Sequence, residues 1–251
     1  MTDELCWQSA AATNVGPVRA HNEDAFAERT DAHLWAVADG MGGHDCGEVA
    51  SALIVERLGG SAASGPLATR MAEIAAILRE ANAALYHMAG EDRVIGSTVA
   101  VFVVSGREAA CLWAGDSRIY RLRRGALAQL TQDHSYVAGL VASGILTEEQ
   151  ASQHRSANMI TRAVGVDAGL EVDTILVPVE ADDVFLLCTD GLTCVLREAD
   201  LIAALEIDDS RAAATALVDT AIARKTRDNV TAVVVRARGR SDPDERIRPV
   251  G

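Results

Sequence analysis

Aspartate is the residue whose placement in this chain points to chemistry. Leu34-Trp-Ala-Val-Ala runs straight into Asp39-Gly40, Val184-Phe-Leu-Leu-Cys-Thr into Asp190-Gly191, and Ala109-Ala-Cys-Leu-Trp-Ala-Gly into Asp116. Asp228-Asn229 does the reverse and precedes Val230-Thr-Ala-Val-Val-Val. If the last run is a strand antiparallel to the others, all four carboxylates can meet at one edge of the sheets. Carboxylates crowded at a partly buried edge repel one another, so they either take up protons or bind cations. A set of oxygen ligands suits Mg²⁺ or Mn²⁺, and the absence of HExxH and of CxxC disfavours zinc. A single Asp-Gly reads equally well as a turn, and spacing alone does not establish that the runs converge.

Other residue types leave their alternatives open. The glycine-rich stretch Asp39–Glu48 allows close backbone approach to a ligand and leads into a helix N-terminus that favours an anion. It matches neither GxxxxGK[ST] nor GxGxxG, so a nucleotide cradle is disfavoured, and a plain strand-to-helix loop is the alternative. Arg19 is a candidate bidentate phosphate clamp or a solvated arginine. His21, His44, His134 and His154 are acid–base candidates or structural histidines. No G-x-S-x-G elbow is present, and Cys188, inside an apolar run, reads as an inert buried thiol.

The elements that must position these residues follow from periodicity. Apolar runs predict strands at Leu34–Ala38, Ser97–Val104, Ala109–Ala114, Arg118–Leu122, Val172–Val177, Val184–Cys188 and Val230–Val235, with a hairpin turning near Gly125. Apolar residues at helical spacing predict helices at Gly47–Leu58 and Leu67–Met88, the second between Pro66 and Gly90. Further helices are expected at Ser135–Ser143, Thr147–Gln153, Glu198–Leu205 and Ser210–Ala223. Strands cluster between helices rather than alternating with them, which predicts an α+β fold with helices layered on antiparallel sheets.

Composition narrows the function classes. The chain has 251 residues, 49% of them hydrophobic, enough for a sizeable core and against disorder. Aromatics at 4% disfavour base-stacking platforms, and a net charge of −13 repels phosphate backbones and anionic membranes, so neither nucleic acid nor membrane is an expected partner. No apolar run reaches the ~18 residues of a membrane span, and the start of the chain shows no secretory leader. Five cysteines without a CxxC pair read as buried, reduced thiols, which places the protein in the cytoplasm.

The ordered motifs resemble those of the bacterial protein phosphatase 2C family, metal-dependent serine/threonine protein phosphatases. They are Arg19-x-x-Asn22-Glu23-Asp24, Val37-Ala-Asp39-Gly-Met-Gly-Gly-His44-x-x-Gly47-Glu48-x-Ala-Ser51, Gly96-Ser-Thr98, Gly115-Asp116-Ser-Arg118-x-Tyr120, Thr131-x-Asp133-His134-Ser135, Asn158-x-Ile-Thr-Arg162-Ala-x-Gly165, Thr189-Asp190-Gly191-Leu and Asp228-Asn229-x-Thr231. Each is weak alone; the ordered set, from about Val15 to Val235, is specific. The resemblance implies a four-layer α-β-β-α sandwich, two antiparallel β-sheets flanked by helices, in a single catalytic domain over 1–238 with a polar, flexible tail at 239–251. It implies two Mn²⁺ or Mg²⁺ ions bridged by Asp39, with Asp190, Asp228 and the Gly40 carbonyl as further ligands and Asp116 matching the ligand of a third ion. Arg19 matches the phosphate-binding arginine, and Glu23 and Asp24 match acids that orient metal-bound water. Segment Asp133–Asn158 corresponds to a mobile flap beside the site.

The implied reaction is hydrolysis of phosphoserine and phosphothreonine on proteins by direct attack of a metal-bridging hydroxide, without a phosphoenzyme, opposing a bacterial serine/threonine kinase. The expected partners are phosphorylated proteins and that kinase, and the expected state is a monomer. Arg118, Arg121, Arg123 and Arg124 can dock an acidic phosphopeptide, or form a solvated basic hairpin. Two positions depart from the family pattern. Met41 stands where many eukaryotic relatives carry a histidine thought to protonate the leaving group, which leaves a metal-bound water ahead of His44 as general acid. Lys225-Thr-Arg227 stands where glycines are usual. A pseudophosphatase would have lost metal ligands, and none is lost. A regulator of an anti-sigma-type partner would carry sensory domains, for which this chain has no room, and a nucleotide-binding enzyme would need a phosphate-loop lysine.

Overall fold

Strands buried on both faces need apolar residues at successive positions, one face packing on helices and the other on a second sheet. The run Leu34-Trp-Ala-Val shows this: Leu34 and Ala36 pack with helical residues, whereas Trp35 and Val37 belong to the cluster between the sheets. The computed structural model describes residues 5–42, 46–61, 64–90, 93–152, 154–156 and 159–239. In chain order the elements are β1 (Leu5–Asn14), β2 (Asp24–Arg29), β3 (Leu34–Gly42), α1 (Cys46–Gly59), α2 (Leu67–Ala89), β4 (Ile95–Ser97), β5 (Val99–Ser105), β6 (Glu108–Ala114), β7 (Arg118–Arg123), β8 (Ala126–Gln129), α3 (Tyr136–Ala142), α4 (Glu148–Ser152), β9 (Asp173–Pro178), β10 (Val184–Cys188), α5 (Asp190–Thr193), α6 (Glu198–Leu205), α7 (Ser210–Ala223) and β11 (Val230–Gly239).

Among the described residues one sheet runs β1-β11-β10-β7-β8 and the other β2-β3-β5-β6-β9, with β4 paired to β3; the strand pairs are antiparallel. Between the sheets lie Trp35, Phe102, Phe185, Leu187, Val233 and Val235, and the rings of Phe102 and Phe185 meet with centroids 4.3 Å apart. Ile54, Ile74, Leu78 and Leu85 of α1 and α2 cover one outer face. Leu201, Leu205, Leu217 and Val218 of α6 and α7 cover the other. The result is the expected α-β-β-α sandwich.

The predicted elements are present, with three differences. The run Ser97–Val104 is divided at Thr98, whose backbone bonds to Asp39 instead of continuing a strand. Strands β1 and β2 carry Ala, Ser, Thr, Gln and Glu rather than a β-branched run, so local pattern did not mark them; long-range pairing with β11 and β3 makes them strands. Gly239, expected in the tail, is the last residue of β11; His44, Asn158 and the rest of that tail lie outside the described residues. The β7–β8 hairpin turns through Arg124 and Gly125, both at positive φ (52° and 78°), the conformation of a two-residue hairpin loop that follows strand twist.

Lys225, one of the departures from the family pattern, also sits at positive φ, 60°. It closes α7: Lys225 N–H donates to Ile222 O (2.9 Å) and Thr226 N–H to Ala221 O (3.1 Å), a Schellman ending usually given to glycine. The bend turns Thr226 inward, where its hydroxyl donates to Gly191 O at 2.8 Å. The lysine therefore keeps the loop geometry at the cost of left-handed strain. Lys225→Gly is expected to raise unfolding stability by up to about 1 kcal/mol in a denaturant titration; no gain, or a loss, would show that the position carries no strain.

Candidate active site

The two sheets bring their acids to the same end. Asp24 opens β2 and is the register partner of Asp39 on β3. Asp190 follows the end of β10 and Asp228 precedes β11, which is antiparallel to it. Asp116 follows β6 and lines the same cleft as Asp190.

Each acid is held by its neighbours. Asp39 N–H donates to Thr98 Oγ1 (3.1 Å), while its carbonyl accepts from Thr98 N–H (2.9 Å) and Ser97 Oγ (2.9 Å). Asp24 Oδ2 accepts from Thr189 Oγ1 (2.8 Å) on one side and Thr231 Oγ1 (2.7 Å) on the other, a bond between the two sheets. Backbones meet closely at Gly40 and Gly191. A Cβ on Gly40 would stand 2.0 Å from Gly47 O, and one on Gly191 1.9 Å from Asn229 O, so neither position admits a side chain. Asn229 fastens the segment that carries Arg19 and Glu23. Its Oδ1 accepts from Glu23 N–H (2.8 Å), and its Nδ2 donates to Val15 O (2.8 Å) and His21 O (2.9 Å). Arg19 then reaches over the acids and its Nη2 donates to Asp228 Oδ2 at 2.6 Å.

The electrostatics follow from this crowding. Burial, opposed by the two threonine hydroxyls but reinforced by Asp190 and Asp228, pushes Asp24 up to about 7. Burial and then Asp190 and Asp133 raise Asp116 to about 7. Burial and the charges of Asp24, Asp190, Asp116 and Asp228 push Asp39 well above the ordinary range. Asp190 is also raised, by burial and by Asp228, against a hydrogen bond with Asp39. Asp24 Oδ1 and Asp190 Oδ1 are buried without a hydrogen-bond partner.

Such a set fits hard divalent cations, which supply the positive charge and the partners that these oxygens lack. Among the described residues no three acidic, histidine or cysteine side chains are grouped so as to hold an ion as they stand. Asp190 is engaged with Asp39 and Asp228 with Arg19 instead. Beside the acids opens a cleft of about 610 Å³, walled by Arg118 and Thr131 on the sheet side and by Val137, Val141 and Ala142 of α3.

A sequence model of the family described as protein phosphatase 2C matches residues 18–222. The chain belongs to this family. The Mycobacterium tuberculosis serine/threonine protein phosphatase PstP is 36% identical over 235 residues, 92% of this chain but only 45% of its own length. The chain thus spans about half of that relative. The Listeria monocytogenes serine/threonine phosphatase Stp is 35% identical over 199 residues, 75% of this chain and 79% of its own. Among solved structures, PppA of Pseudomonas aeruginosa, a key regulatory component of T6SS, superposes with a TM-score of 0.85 at 40% identity, covering 92% of this chain and 97% of that one. A PstP catalytic domain in complex with two manganese ions superposes with a TM-score of 0.81 at 33% identity, covering 93% and 99%.

Within this phosphatase 2C frame the structure brings Arg19, Glu23, Asp24, Asp39, Gly40, Asp116, Asp190 and Asp228 together. It does not leave the arginine hairpin free. Arg118 grips Asp133, with Nη2 at 2.6 Å; Arg123 holds Asp183 and Glu180; Arg124 holds Glu180; and Arg121 Nε is buried. Arg118 and Arg123 are thus committed to acids within the fold, whereas Arg124 keeps a side chain 84% exposed at the surface, so the hairpin is only in part a solvated basic one. His134 lies between Gly115 and Asp173, a structural place. All five cysteines are free, but Cys6 and Cys194 are exposed, against the expectation of burial. The supporting residues Asn229, Thr98, Thr189 and Thr231 lay inside the motifs without a role; for Asn229 and Thr189 the signal was a polar side chain adjoining an acid, and Thr98 and Thr231 carried no such mark.

Raised carboxyl pKa values have a definite sign in stability. The unfolded chain ionises these aspartates near 3.8, whereas the folded, cation-free protein resists until about 7 at Asp24 and Asp116. Their stabilising contribution is full below the lower value and is lost as pH rises through the upper one. Thermal melts in EDTA should therefore show a lower midpoint at pH 8 than at pH 5, and Asp24→Asn should narrow that gap. Added Mn²⁺ should raise the midpoint more at pH 8; an equal rise at both pH values would place ion binding away from these acids.

Proposed function

We propose that the chain is a Mn²⁺- or Mg²⁺-dependent protein phosphatase that hydrolyses phosphoserine and phosphothreonine on proteins, reversing the work of a serine/threonine kinase. The observation that carries this reading is the convergence of Asp39, Asp190 and Asp228 from two sheets beneath the guanidinium of Arg19. In this reading Asp39, Asp190, Asp228 and the Gly40 carbonyl hold two ions and Asp116 a third; the manganese of the PstP catalytic domain supports the assignment. The chemistry such ions supply is a water acidic enough to attack phosphorus at neutral pH, with neutralisation of phosphoryl charge.

The chain's own residues do the rest. Asp24, pinned by two threonines, keeps its second oxygen free to accept from water at the floor of the site. Glu23 is fixed by its main chain to Asn229, Gly40 and Ser51. Arg19, 48% exposed, exchanges Asp228 for the substrate's phosphoryl oxygens, which its planar fork matches bidentately. That exchange also frees Asp228 to act as a ligand. The leaving oxygen is read as taking its proton from water, ahead of His44, which lies outside the described residues; Met41 stands in place of the histidine and His134 is engaged elsewhere. The acting form is read as a monomer, and the five free thiols suit a reducing, cytoplasmic compartment. Among the described residues no helix is long and apolar enough to cross a membrane.

The test is hydrolysis of a phosphothreonine peptide with Mn²⁺, with EDTA, and with two variants. Asp190→Asn should cut kcat by more than the roughly 10–100-fold that loss of an outer partner of a metal ligand costs. Arg19→Lys should raise KM for the peptide, because an ammonium cannot replace the fork. Turnover that survives EDTA, or an Asp190→Asn enzyme of near-normal rate, would sink the assignment.

A further inference from the structure

His134 is deeply set, with a side chain 10% exposed, and its hydrogen bonds determine its tautomer. Gly115 N–H donates to Nδ1 at 3.1 Å, and a backbone amide can only donate, so Nδ1 carries the lone pair. The ring proton of the neutral imidazole is then on Nε2, facing Asp173 Oδ2 at 3.1 Å; Arg162 Nη1 also lies 3.2 Å from Nε2, but a guanidinium cannot accept that proton, so its own hydrogen goes to Asp173. Asp173 is itself held by Arg162, whose Nη1 donates to Oδ1 at 2.5 Å. The indole of Trp113 lies nearly parallel to the imidazole, centroids 6.0 Å apart, and Trp113 Nε1 donates to Gln132 O.

The grip on Gly115 is two-sided. His134 N–H donates back to Gly115 O at 2.9 Å, closing a reciprocal pair between the two residues. On its other side Gly115, at φ +117°, lies so close to Thr98 that a Cβ would stand 2.5 Å from Thr98 Cβ. Thr98 Oγ1 accepts from Asp39 N–H and shares a 2.7 Å hydrogen bond with Ser117 Oγ. The Gly115-Asp116-Ser117 turn is therefore clamped between His134 and the residue that holds Asp39.

His134 also stands at the root of the 134–161 segment. Its carbonyl accepts from Thr161 N–H at 2.7 Å, Tyr136 N–H donates to Met159 O, and Ser135 bridges Ile160, so both ends of the segment are tied together beside it. We infer that His134 is a positioning residue: its Nδ1 locks the Gly115–Asp116 peptide to the root of the segment that walls the cleft, so displacement of that segment is transmitted to the Asp116 carboxylate. The consequence for turnover rests on the phosphatase reading above; the consequence for the Gly115 amide does not.

Two variants separate the hydrogen bond from the packing. His134→Asn keeps an acceptor near the place of Nδ1 but loses the ring over Trp113. His134→Phe keeps the ring and loses the acceptor. Hydrogen exchange at the Gly115 amide, read by NMR in cation-free protein, should accelerate about tenfold or more in the Phe variant, the loss of one buried hydrogen bond, and stay near wild type in the Asn variant. The kcat/KM for a phosphopeptide in Mn²⁺ should follow the same order. If the Phe variant does not fold, His134→Gln, whose carbonyl reaches the place of Nε2 rather than Nδ1, carries the same expectation. Protection of Gly115 that is equal in the Asn and Phe variants, or lost in Asn while its melting midpoint is unchanged, overturns the inference. Exchange in the expected order with no turnover even in the wild type leaves the clamp standing and removes the phosphatase reading instead.

Discussion

The carboxylates of Asp24, Asp39, Asp116, Asp190 and Asp228 share one end of the sandwich, and the repulsion among them has to be carried by whatever surrounds them. No one of these acids could be held there by its own strand. Asp24, Asp116, Asp190 and Asp228 sit at or next to strand ends, and Asp39 lies within β3 between its pairings with β5 and β4, on backbone that the interior fixes; that interior is packed on three levels, helix on sheet, sheet on sheet, and sheet on helix. Burial of the aliphatic and aromatic residues of these layers favours the compact state strongly enough to tolerate a small, highly charged end.

Two devices keep that end from opening. Hydroxyls of Thr189 and Thr231, from one sheet, converge on Asp24 of the other, and Asn22 Nδ2 continues the chain through Thr13 to Thr231. Glycines at 40 and 191 let β3 approach α1, and α5 approach the segment before β11, to distances that a methyl group would forbid. Arg19, paired with Asp228 on the rim, and Arg118 supply counter-charge to these acids.

The neighbouring segment is built differently. Its ends are tied by backbone bonds at 134–136 and 159–161, and its helices contribute small apolar side chains to the cleft rather than charges. Arg118, the hairpin arginine that lines the cleft, is paired with Asp133, and Arg123 and Arg124 pair with Asp183 and Glu180.

What the sequence alone determined is what depends on neighbours along the chain. Apolar runs marked β3, β5, β6, β10 and β11, helical spacing marked α1 and α2, and the acids at the ends of those runs marked the candidate site, because periodicity and chain order are local properties. Strands β1 and β2 were not legible, since alanines and polar residues become a strand only when β11 and β3 are beside them. The fate of the charges was equally hidden. Arg123 pairs with Asp183 across 60 positions and Arg19 with Asp228 across 209, and the sequence does not say which arginine meets which acid. The exposure of Cys6 and Cys194 and the left-handed turn at Lys225 belong to the same class. Only the tertiary structure decides these, because Coulomb energy, desolvation and hydrogen bonding act through space and are defined only once the sheets have closed on one another.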